Sequence, residues 1–271
     1  MTLTTQHIQQ FKTDGYVLIP NFWTKDEIAA MRAELSNLVR AGKLRNVTTE
    51  GDGKTHSKTL QNLQICPIWH TSTLFRAVPF VPKVTAAISA LIGDPILQQL
   101  DQIFLKPARS GAPTNWHQDN AYFKVSNPLM GTAMWTALHD ANVANGTMRL
   151  IPGSHREVYP HSRDPESDHH IRCYPPEDQA VPATLPAGGV AFFCYGTAHC
   201  TGPNRTESDR AGLALHFLRT DYATEDLLED GRNCRPYLTG PMATGGLKEY
   251  GVTVAGTWDA EMKKAIQAAV P

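Results

Sequence analysis

Apolar and polar positions follow a helical pattern in the first part of the chain. Thr24 to Glu27 fits a capping box, which marks the start of a helix. The apolar residues that follow share one helical face: Ile28, Met31, Leu35 and Leu38. Just before this helix, the short apolar run GYVLIPNF (15–22) is typical of a buried strand that ends in a turn. A second helix is predicted from Val81 to Leu91, ended by Gly93.

The pattern changes near Ile96 and predicts a series of short strands as far as Leu218. Clusters of Gly, Pro, Asn and Ser separate the apolar segments, of which the clearest are ILQQLDQIFLKP, NWHQDNAYF, TAMWTALHD, TMRLIPGS, GGVAFFCYG and AGLALHFLR. Six or more strands at this spacing predict a sandwich or jelly roll. The expected fold is therefore mainly β with flanking helices.

A single domain is expected over the whole chain. Its 271 residues, 41% of them hydrophobic, can bury a sizeable core. The expected parts are a helical N-terminal support (1–95), a jelly-roll core (96–220) and a C-terminal extension (221–271). In the extension, Trp258, Met262 and Ile266 recur at intervals of four, which predicts a helix near Thr257.

One polar segment interrupts the predicted strands. The stretch from Tyr159 to Pro182 is proline-rich and has neither helical nor strand periodicity, so it is predicted to be a long loop. Loops of this length inside a compact domain are often lids or binding loops. Within it, His169 and His170 are expected to be exposed to solvent, with substrate contact as the less favoured alternative.

Composition and charge argue against several function classes. The chain has 25 Lys and Arg against 26 Asp and Glu, a formal net charge of -1, and no long run of one sign. This argues against nucleic acid or a membrane surface as the main partner. No apolar stretch reaches the roughly 20 residues of a membrane span, and the first residues lack a signal-peptide pattern. The five cysteines form no CxxC pair, which suits reduced thiols in a cytoplasmic protein.

The candidate chemistry centres on the motif WHQD, residues 116–119. A strand with a two-residue period would project His117 and Asp119 to the same face, where both could reach one metal ion. A second histidine would complete a facial triad of two histidines and one carboxylate, as in iron(II) oxygenases. His199, after the apolar run VAFFC, is the best candidate, although spacing alone does not select it. By itself an HxD motif is weak, because an exposed His often lies beside an exposed Asp.

Three ordered motifs resemble those of one known family. WHQDNAYF (116–123) resembles the iron-binding segment of the phytanoyl-CoA dioxygenase family. WTALHDANVANGTMRLIPGSH (135–155) resembles the segment that follows it there, and HCTGPNRTESDR (199–210) resembles the segment of the distal histidine. Together with the N-terminal DGYVLIPNF, the resemblance covers Phe11 to about Arg219.

The resemblance implies a double-stranded β-helix core of the cupin type and a set of site residues. Iron(II) would be held by His117, Asp119 and His199, and 2-oxoglutarate would chelate the metal, with O2 as the oxidant. Arg210 would pair with the distal carboxylate of 2-oxoglutarate through its planar guanidinium. A hydroxyl on Thr136 would contact the same carboxylate, and Gln102 is a weaker candidate for the cofactor pocket. Aromatic walls would come from Trp116, Tyr122 and Phe123.

The activity implied by the resemblance is hydroxylation of an unactivated C–H bond with release of succinate and CO2. Family halogenases replace the carboxylate ligand by a small residue, whereas this chain retains Asp119. One departure is His199-Cys200-Thr201, where many relatives have His-x-Ser; the hydroxyl is kept. The loops at Lys54 to His70 and Tyr159 to Pro182 would select the substrate. Their mix of His, Gln, Asn, Lys and Arg favours a small polar or anionic metabolite.

Two alternatives remain open from the sequence. The same residues could form a metal-dependent hydrolase with zinc or manganese, or a ligand-binding barrel without oxidase chemistry, and neither gives Arg210 or Thr136 a partner. The oligomeric state is open as well.

Several residues have competing interpretations. Lys106 either points into the cavity or is a solvated strand end. Gly146, in the Asn-Gly pair, is predicted to form a tight hairpin turn. His139 and His216 are expected at satisfied or half-buried positions, and His155 is expected to form hydrogen bonds in the Pro-Gly-Ser-His turn. Arg232 and Arg235 are expected at the surface, with a reach over the barrel mouth to an anionic substrate as the less favoured alternative.

Overall fold

A computed structural model describes residues 2–229 and 235–269. In chain order the described strands are β1 (Tyr16–Ile19), β2 (Arg45–Asn46), β3 (Leu63–Ile65), β4 (Ile96–Lys106), β5 (Thr114–His117), β6 (Gly131–Ala137), β7 (Met148–Leu150), β8 (Ser162–Arg163), β9 (Ile171–Arg172), β10 (Val181–Pro182), β11 (Val190–Cys194), β12 (His199–Thr201) and β13 (Arg210–Arg219). The described α-helices are α1 (Thr5–Asp14), α2 (Lys25–Arg40), α3 (Thr73–Ala77), α4 (Pro82–Ile92), α5 (Asn120–Phe123), α6 (Glu225–Glu229), α7 (Leu247–Tyr250) and α8 (Trp258–Ala269).

Eleven of the thirteen described strands form two antiparallel sheets with an apolar layer between them, and β8 and β9 form a separate two-stranded sheet. The large sheet has the order β1-β11-β6-β13-β4-β3-β2, and the small sheet has the order β10-β7-β12-β5. Side chains from both sheets, including Trp135 and Phe193 of the large one and Met148 and Leu150 of the small one, make a common buried cluster. Most neighbouring strands are not consecutive in the chain, as in a jelly roll. The predicted mainly-β fold with flanking helices is confirmed.

Strand β13 shows how the sequence assigns side chains to the two faces of the large sheet. It lies between β4 and β6 and is buried along nearly its whole length. Successive strand residues point to opposite faces. Leu213, Leu215 and Phe217 therefore pack into the core beneath the helices, whereas Arg210 and His216 line the cavity between the sheets.

Helices cover the outer face of the large sheet. The predicted capping box of α2 is present, with Thr24 and Glu27 each bonding the other's backbone N–H, and α2 buries the apolar face expected from its sequence. The predicted helix near Thr257 is α8, which packs against α2. Helix α1, begun by a capping box between Thr4 and His7, was not predicted. Its apolar pattern is short, and Phe11 is its one buried residue.

The segment 159–182 is more ordered than its sequence predicts. It contains the small hairpin β8–β9 and ends in β10, which adds an edge strand to the small sheet. The prediction of a loop without strands was therefore wrong in this respect.

Among the described helices, none alone is long and apolar enough to cross a membrane. The bent pair Thr73–Phe80 and Pro82–Ile92 meets that length and composition only when the two are taken together.

Candidate active site

Two histidines face each other across the small sheet. His117 at the end of β5 and His199 at the start of β12 are direct partners in the antiparallel register, and their ring centroids are 4.2 Å apart. His117 Nδ1 lies 2.9 Å from the carbonyl of Asn115, and His199 Nδ1 lies 2.9 Å from the carbonyl of Thr197. Because each Nδ1–H can donate to a carbonyl, both rings present an unprotonated Nε2 to the cavity, the form that binds metals.

Asp119 reaches the same point by a route that the sequence did not predict. Strand β5 ends at His117, and Asp119 has helical backbone angles (φ -59°, ψ -29°) at the start of α5. The two-residue strand period therefore does not explain its position; the turn into α5 does. Its Oδ1 lies 3.7 Å from His117 Nε2 and 3.8 Å from His199 Nε2. Within residues 2–229 and 235–269, these three are the one group of His, Cys, Asp or Glu whose donor atoms converge closely enough for a metal ion.

The electrostatics of the three residues suit a divalent cation. Burial lowers the pKa of His117 to about 3, with His199 adding to the effect, and burial also lowers the pKa of His199. Burial alone would raise the pKa of Asp119, but the neighbouring histidines outweigh it and hold this pKa well below its usual range. Two neutral imidazoles and one ionised carboxylate are the protonation states that a metal site requires. This donor set fits iron(II) and leaves positions open for other ligands.

Arg210 lies at the inner end of the cavity as a buried cation. It is 1% exposed, donates to the carbonyls of Asn145 and Gly146, and packs its guanidinium 5.6 Å from the ring of Trp135. Burial lowers the pKa of Arg210 to about 9, which leaves it charged at neutral pH. No carboxylate of the described residues lies within ion-pair distance of it. A buried charge without a counter-ion destabilises the folded protein, so an anionic ligand would be favoured beside Arg210.

The turn that holds Arg210 differs from the predicted hairpin. Gly146 has a φ of +75°, and a Cβ there would lie 2.2 Å from the carbonyl oxygen of Gly202. The Asn-Gly pair does make a tight turn, but it joins β6 of the large sheet to β7 of the small one. The predicted turn is confirmed, and the predicted hairpin is wrong.

Lys106 lies beside Arg210 and faces the cavity. The two residues are register partners on β4 and β13, and Lys106 is 1% exposed with its Nζ bonded to the carbonyl of Ala112. Of the two interpretations of Lys106, the structure supports the cavity position. The hydroxyl of Thr201, also in the cavity wall, is buried and has no hydrogen-bond partner in the described part of the chain. The Arg210 guanidinium, the Lys106 amine and a free hydroxyl therefore lie in the wall of one cavity.

Two further predicted cofactor contacts have different outcomes. Thr136 points to the opposite face of β6, where its hydroxyl accepts a hydrogen bond of 3.1 Å from Trp23 Nε1, and it does not line the cavity. The structure therefore does not bring Thr136 to the site, and Thr201 offers a hydroxyl there instead. Gln102 does line the cavity, and its Oε1 accepts from Gln64 Nε2 at 3.0 Å.

The mouth of the cavity is covered by the segment 159–182. His170 is 9% exposed and stacks on His117 with an interplanar angle of 10°, and His169 also lines the cavity. The expectation of solvent exposure was wrong for His170 and is confirmed for His169, whose side chain is 37% exposed although it also borders the cavity. Asp168 holds this segment in place, because its carboxylate contacts His169 of the segment as well as Arg45 of β2 and His56 of the loop that follows β2.

The predicted aromatic walls are only partly present. Tyr122 and Phe123 line the cavity, and the Tyr122 hydroxyl accepts a hydrogen bond of 2.9 Å from the backbone N–H of Ile171 in the covering segment. Trp116 points the other way, into a separate apolar cluster with Ile151 and Cys200.

His216 is a cavity residue that sequence reasoning missed. A satisfied or half-buried position was expected; the residue is buried, and its Nε2 lies 3.3 Å from Asp119 Oδ2. The signal available in the sequence was its even spacing from Arg210 on one strand, which puts both on the same face.

Three of the remaining residues, His139, His155 and Arg235, lie outside the cavity wall. His139 is satisfied, as expected, because its Nδ1 accepts from the N–H of Ala211 at 3.1 Å. His155 is half-buried, and Arg235 is half-buried and donates to the carbonyl of Leu227. Arg232 lies outside the described residues.

Comparison with known proteins found a family model, curated relatives and solved structures that are similar to this chain. Residues 11–212 match the family model described as Phytanoyl-CoA dioxygenase (PhyH). Ectoine dioxygenase of Stutzerimonas stutzeri (strain A1501) is 24% identical over 244 residues, covering 82% of this chain and 79% of the relative. The peroxisomal phytanoyl-CoA dioxygenase of Rattus norvegicus is 23% identical over 236 residues, covering 81% and 69%. The solved structure of SnoK, a non-heme alpha ketoglutarate dependent carbocyclase from nogalamycin biosynthesis, has a TM-score of 0.67 at 21% identity, covering 83% of this chain and 88% of that chain.

Proposed function

The chain belongs to the phytanoyl-CoA dioxygenase family of non-haem iron, 2-oxoglutarate-dependent enzymes, and we propose that it hydroxylates an unactivated C–H bond of a small polar or anionic metabolite. His117, Asp119 and His199 would hold iron(II). Arg210, with Lys106 and Thr201, would bind the distal carboxylate of 2-oxoglutarate. The co-products would be succinate and CO2.

One observation carries this proposal. A converging set of two neutral imidazoles and one carboxylate shares a cavity with the buried guanidinium of Arg210, which lacks a carboxylate partner among the described residues, and with the buried amine of Lys106 beside it. A dicarboxylate that also binds the metal would interact with both the metal site and the basic residues. A zinc or manganese hydrolase, or a ligand-binding barrel, would use the metal ligands and leave Arg210 and Lys106 without an anion. Both alternatives are therefore less consistent with the site.

The protein's own residues contribute binding, orientation and exclusion of water. When bound, iron(II) and 2-oxoglutarate supply the oxidising power, because O2 is reduced as 2-oxoglutarate loses CO2. The buried guanidinium of Arg210 would hold the far carboxylate of 2-oxoglutarate through a charge-assisted contact. Phe123 and the covering segment keep bulk water from the metal face, where a reactive intermediate needs protection.

The size and lining of the cavity support a small polar substrate. Its volume is about 220 Å³, below the roughly 300–1,000 Å³ of sites for drug-sized ligands. The polar side chains that line the cavity include five neutral amides and imidazoles: Asn62, Gln64, Gln102, His169 and His170. Such groups recognise hydrogen-bonding substituents. The retained carboxylate of Asp119 favours hydroxylation over halogenation.

The substrate proposal is tested by screening small polar metabolites with iron(II), 2-oxoglutarate and O2. A true substrate increases succinate release and yields a product that carries one oxygen atom from isotopically labelled O2. The His199→Ala protein serves as the control without a complete metal site. Substrate-dependent succinate release without oxygen in the product would replace hydroxylation by another oxidation. Iron binding without any binding of 2-oxoglutarate would favour the hydrolase or ligand-binding alternatives.

A further inference from the structure

The two oxygens of the Asp119 carboxylate face different partners. Oδ1 is the atom near the Nε2 atoms of His117 and His199, at 3.7 and 3.8 Å. Oδ2 points away from them and lies 3.3 Å from His216 Nε2. Both side chains of this contact are buried, with 5% of His216 and 7% of Asp119 exposed. The carboxylate is therefore divided between a metal-facing oxygen and an oxygen that faces an imidazole.

His216 is well placed to keep this division fixed. It lies on β13, which pairs with β4 on one side and with β6 on the other. The ring packs edge-on to Phe123, with centroids 5.4 Å apart, and lies 6.2 Å from the ring of Tyr195. In the part of the chain that the structure describes, neither His216 Nδ1 nor Asp119 Oδ2 has a hydrogen-bond partner of regular geometry, and His216 Nε2 is the donor atom 3.3 Å from that oxygen. Asp119 is thus the polar group toward which the ring is directed.

We infer that His216 is a positioning residue: its Nε2–H donates to Asp119 Oδ2 and keeps the carboxylate a one-oxygen ligand through Oδ1. The inference rests on the proposed function, since it concerns the ligand set of the iron. A carboxylate whose second oxygen is buried without a donor is destabilised, and it is free to turn and bind the metal through both oxygens. Chelation by both oxygens would take up a coordination position that O2 or 2-oxoglutarate needs. Hydrogen-bond partners of metal ligands typically contribute about 10- to 100-fold to metal affinity.

The test compares two amides that differ in where they place an N–H group. In His216→Gln the amide nitrogen falls near the position of the imidazole Nε2, whereas in His216→Asn it falls near Nδ1. We expect the Gln protein to keep iron(II) affinity within about threefold of the native protein and the Asn protein to lose about tenfold or more. His216→Leu, which has no donor, should match the Asn protein. Iron(II) affinity is measured without O2 by competition with a chromogenic chelator.

A spectroscopic readout accompanies the affinity measurement. The visible charge-transfer band of the iron(II)–2-oxoglutarate complex should keep its energy in the Gln protein and shift in the Asn and Leu proteins, because the carboxylate binds the metal differently. Phe217→Leu is the matched control, because Phe217 is next to His216 in the chain but packs on the opposite face of β13. This control should lower thermal stability and leave iron affinity and the band unchanged.

The outcomes separate this inference from the proposed function. If the native protein binds iron(II) and forms the band, and all His216 variants do the same, the positioning role is wrong while the proposed function stands. If Gln and Asn lose affinity equally, His216 acts as a ligand or as packing, and the inference is again overturned. If the native protein forms no band at all, the proposed function fails and the inference fails with it.

Discussion

Arg210 and Lys106 bring two basic groups into a region where the described residues offer no carboxylate. Their position follows from local rules, since both lie on long strands at points where the side chain faces inward. The sequence motif predicted Arg210 but left Lys106 undecided, because a lysine before a proline is equally compatible with a solvated strand end. Thr136, in contrast, was predicted from the motif to face the cavity, but it lies among the residues of β6 that point to the other face of the sheet, toward Trp23. Which alternate residues of a strand point to which face depends on how the strand pairs with its neighbours, and the local sequence does not reveal this.

Replacing Arg210 should weaken 2-oxoglutarate binding without removing the metal. In Arg210→Met the distal carboxylate loses its buried partner, which costs at least ~2 kcal/mol, or about 30-fold in affinity. The affinity is measured by titrating 2-oxoglutarate into the iron(II)-loaded protein without O2. Arg149→Met is the control, because Arg149 is half-exposed and faces Glu177 at the surface. An equal effect of the two substitutions would remove Arg210 from the proposed cosubstrate site.

Binding of 2-oxoglutarate should take up a proton through Lys106. Burial, followed by the charge of Arg210, lowers the pKa of Lys106 in the free protein. A bound carboxylate raises this pKa again, so between the free and the bound pKa values the complex holds more protons than the free protein. Affinity should therefore fall as pH rises through that range.

Calorimetry of the iron(II)-loaded protein in buffers of different ionisation enthalpy measures this uptake. The expected uptake is up to one proton. The neighbouring His170 also has a pKa lowered by burial, and the Lys106→Met protein separates the two groups by abolishing the lysine contribution. Unchanged uptake in Lys106→Met, or proton release in the native protein, would contradict this role for Lys106.

The covering segment 159–182 is the element whose behaviour differs most from its sequence pattern. Its polar, proline-rich composition predicts an irregular loop, yet it forms the hairpin β8–β9 and places His169 and His170 in the cavity. Its order comes from contacts with distant residues, such as Asp168 with Arg45 and Ile171 with Tyr122. Local periodicity cannot show contacts of this kind. Local periodicity also failed to predict how Asp119 reaches the site, because β5 ends at His117 and Asp119 lies in the turn into α5.

Asp168→Asn should loosen the covering segment while leaving the core intact. The amide keeps the size of the side chain but loses the charge that holds Arg45 and His56. We expect faster amide hydrogen exchange in residues 162–172 and little change in the unfolding temperature, because exposed ion pairs contribute only about 0–1 kcal/mol. Asp221→Asn, which removes a comparable pair with Arg219, is the control. Unchanged exchange in residues 162–172 would show that Asp168 does not hold the segment.

At the scale of the whole molecule, the proposed ligands connect the two sheets. The histidine ligands belong to the small sheet, whereas Arg210 and Lys106 belong to the large sheet. The mainly-β fold could be predicted from the alternation of its strands and from the family motifs. The strand order could not, because pairs such as His117 with His199 join residues about eighty positions apart. Only the folded sheets bring the separate motifs together.

Iron(II) and 2-oxoglutarate together should raise the unfolding temperature. A ligand present at about 100 times its dissociation constant stabilises by ~2.7 kcal/mol, which corresponds to about 5–10 °C for a chain of this size. Because 2-oxoglutarate would bridge the metal and Arg210, it should stabilise little when iron(II) is absent. Thermal unfolding without O2, followed by circular dichroism, measures these shifts, with His199→Ala as the control. A shift of equal size in His199→Ala would place the bound metal elsewhere.

The central claim is that one cavity binds iron(II) through His117, Asp119 and His199 and 2-oxoglutarate through Arg210. The most direct test is an anaerobic titration of metal-free protein with iron(II) and then 2-oxoglutarate, recorded by visible absorbance. The account predicts a weak charge-transfer band that is absent in His199→Ala and requires more 2-oxoglutarate in Arg210→Ala. Iron binding without a band at any 2-oxoglutarate concentration would contradict it and leave a metal site that does not use this cosubstrate.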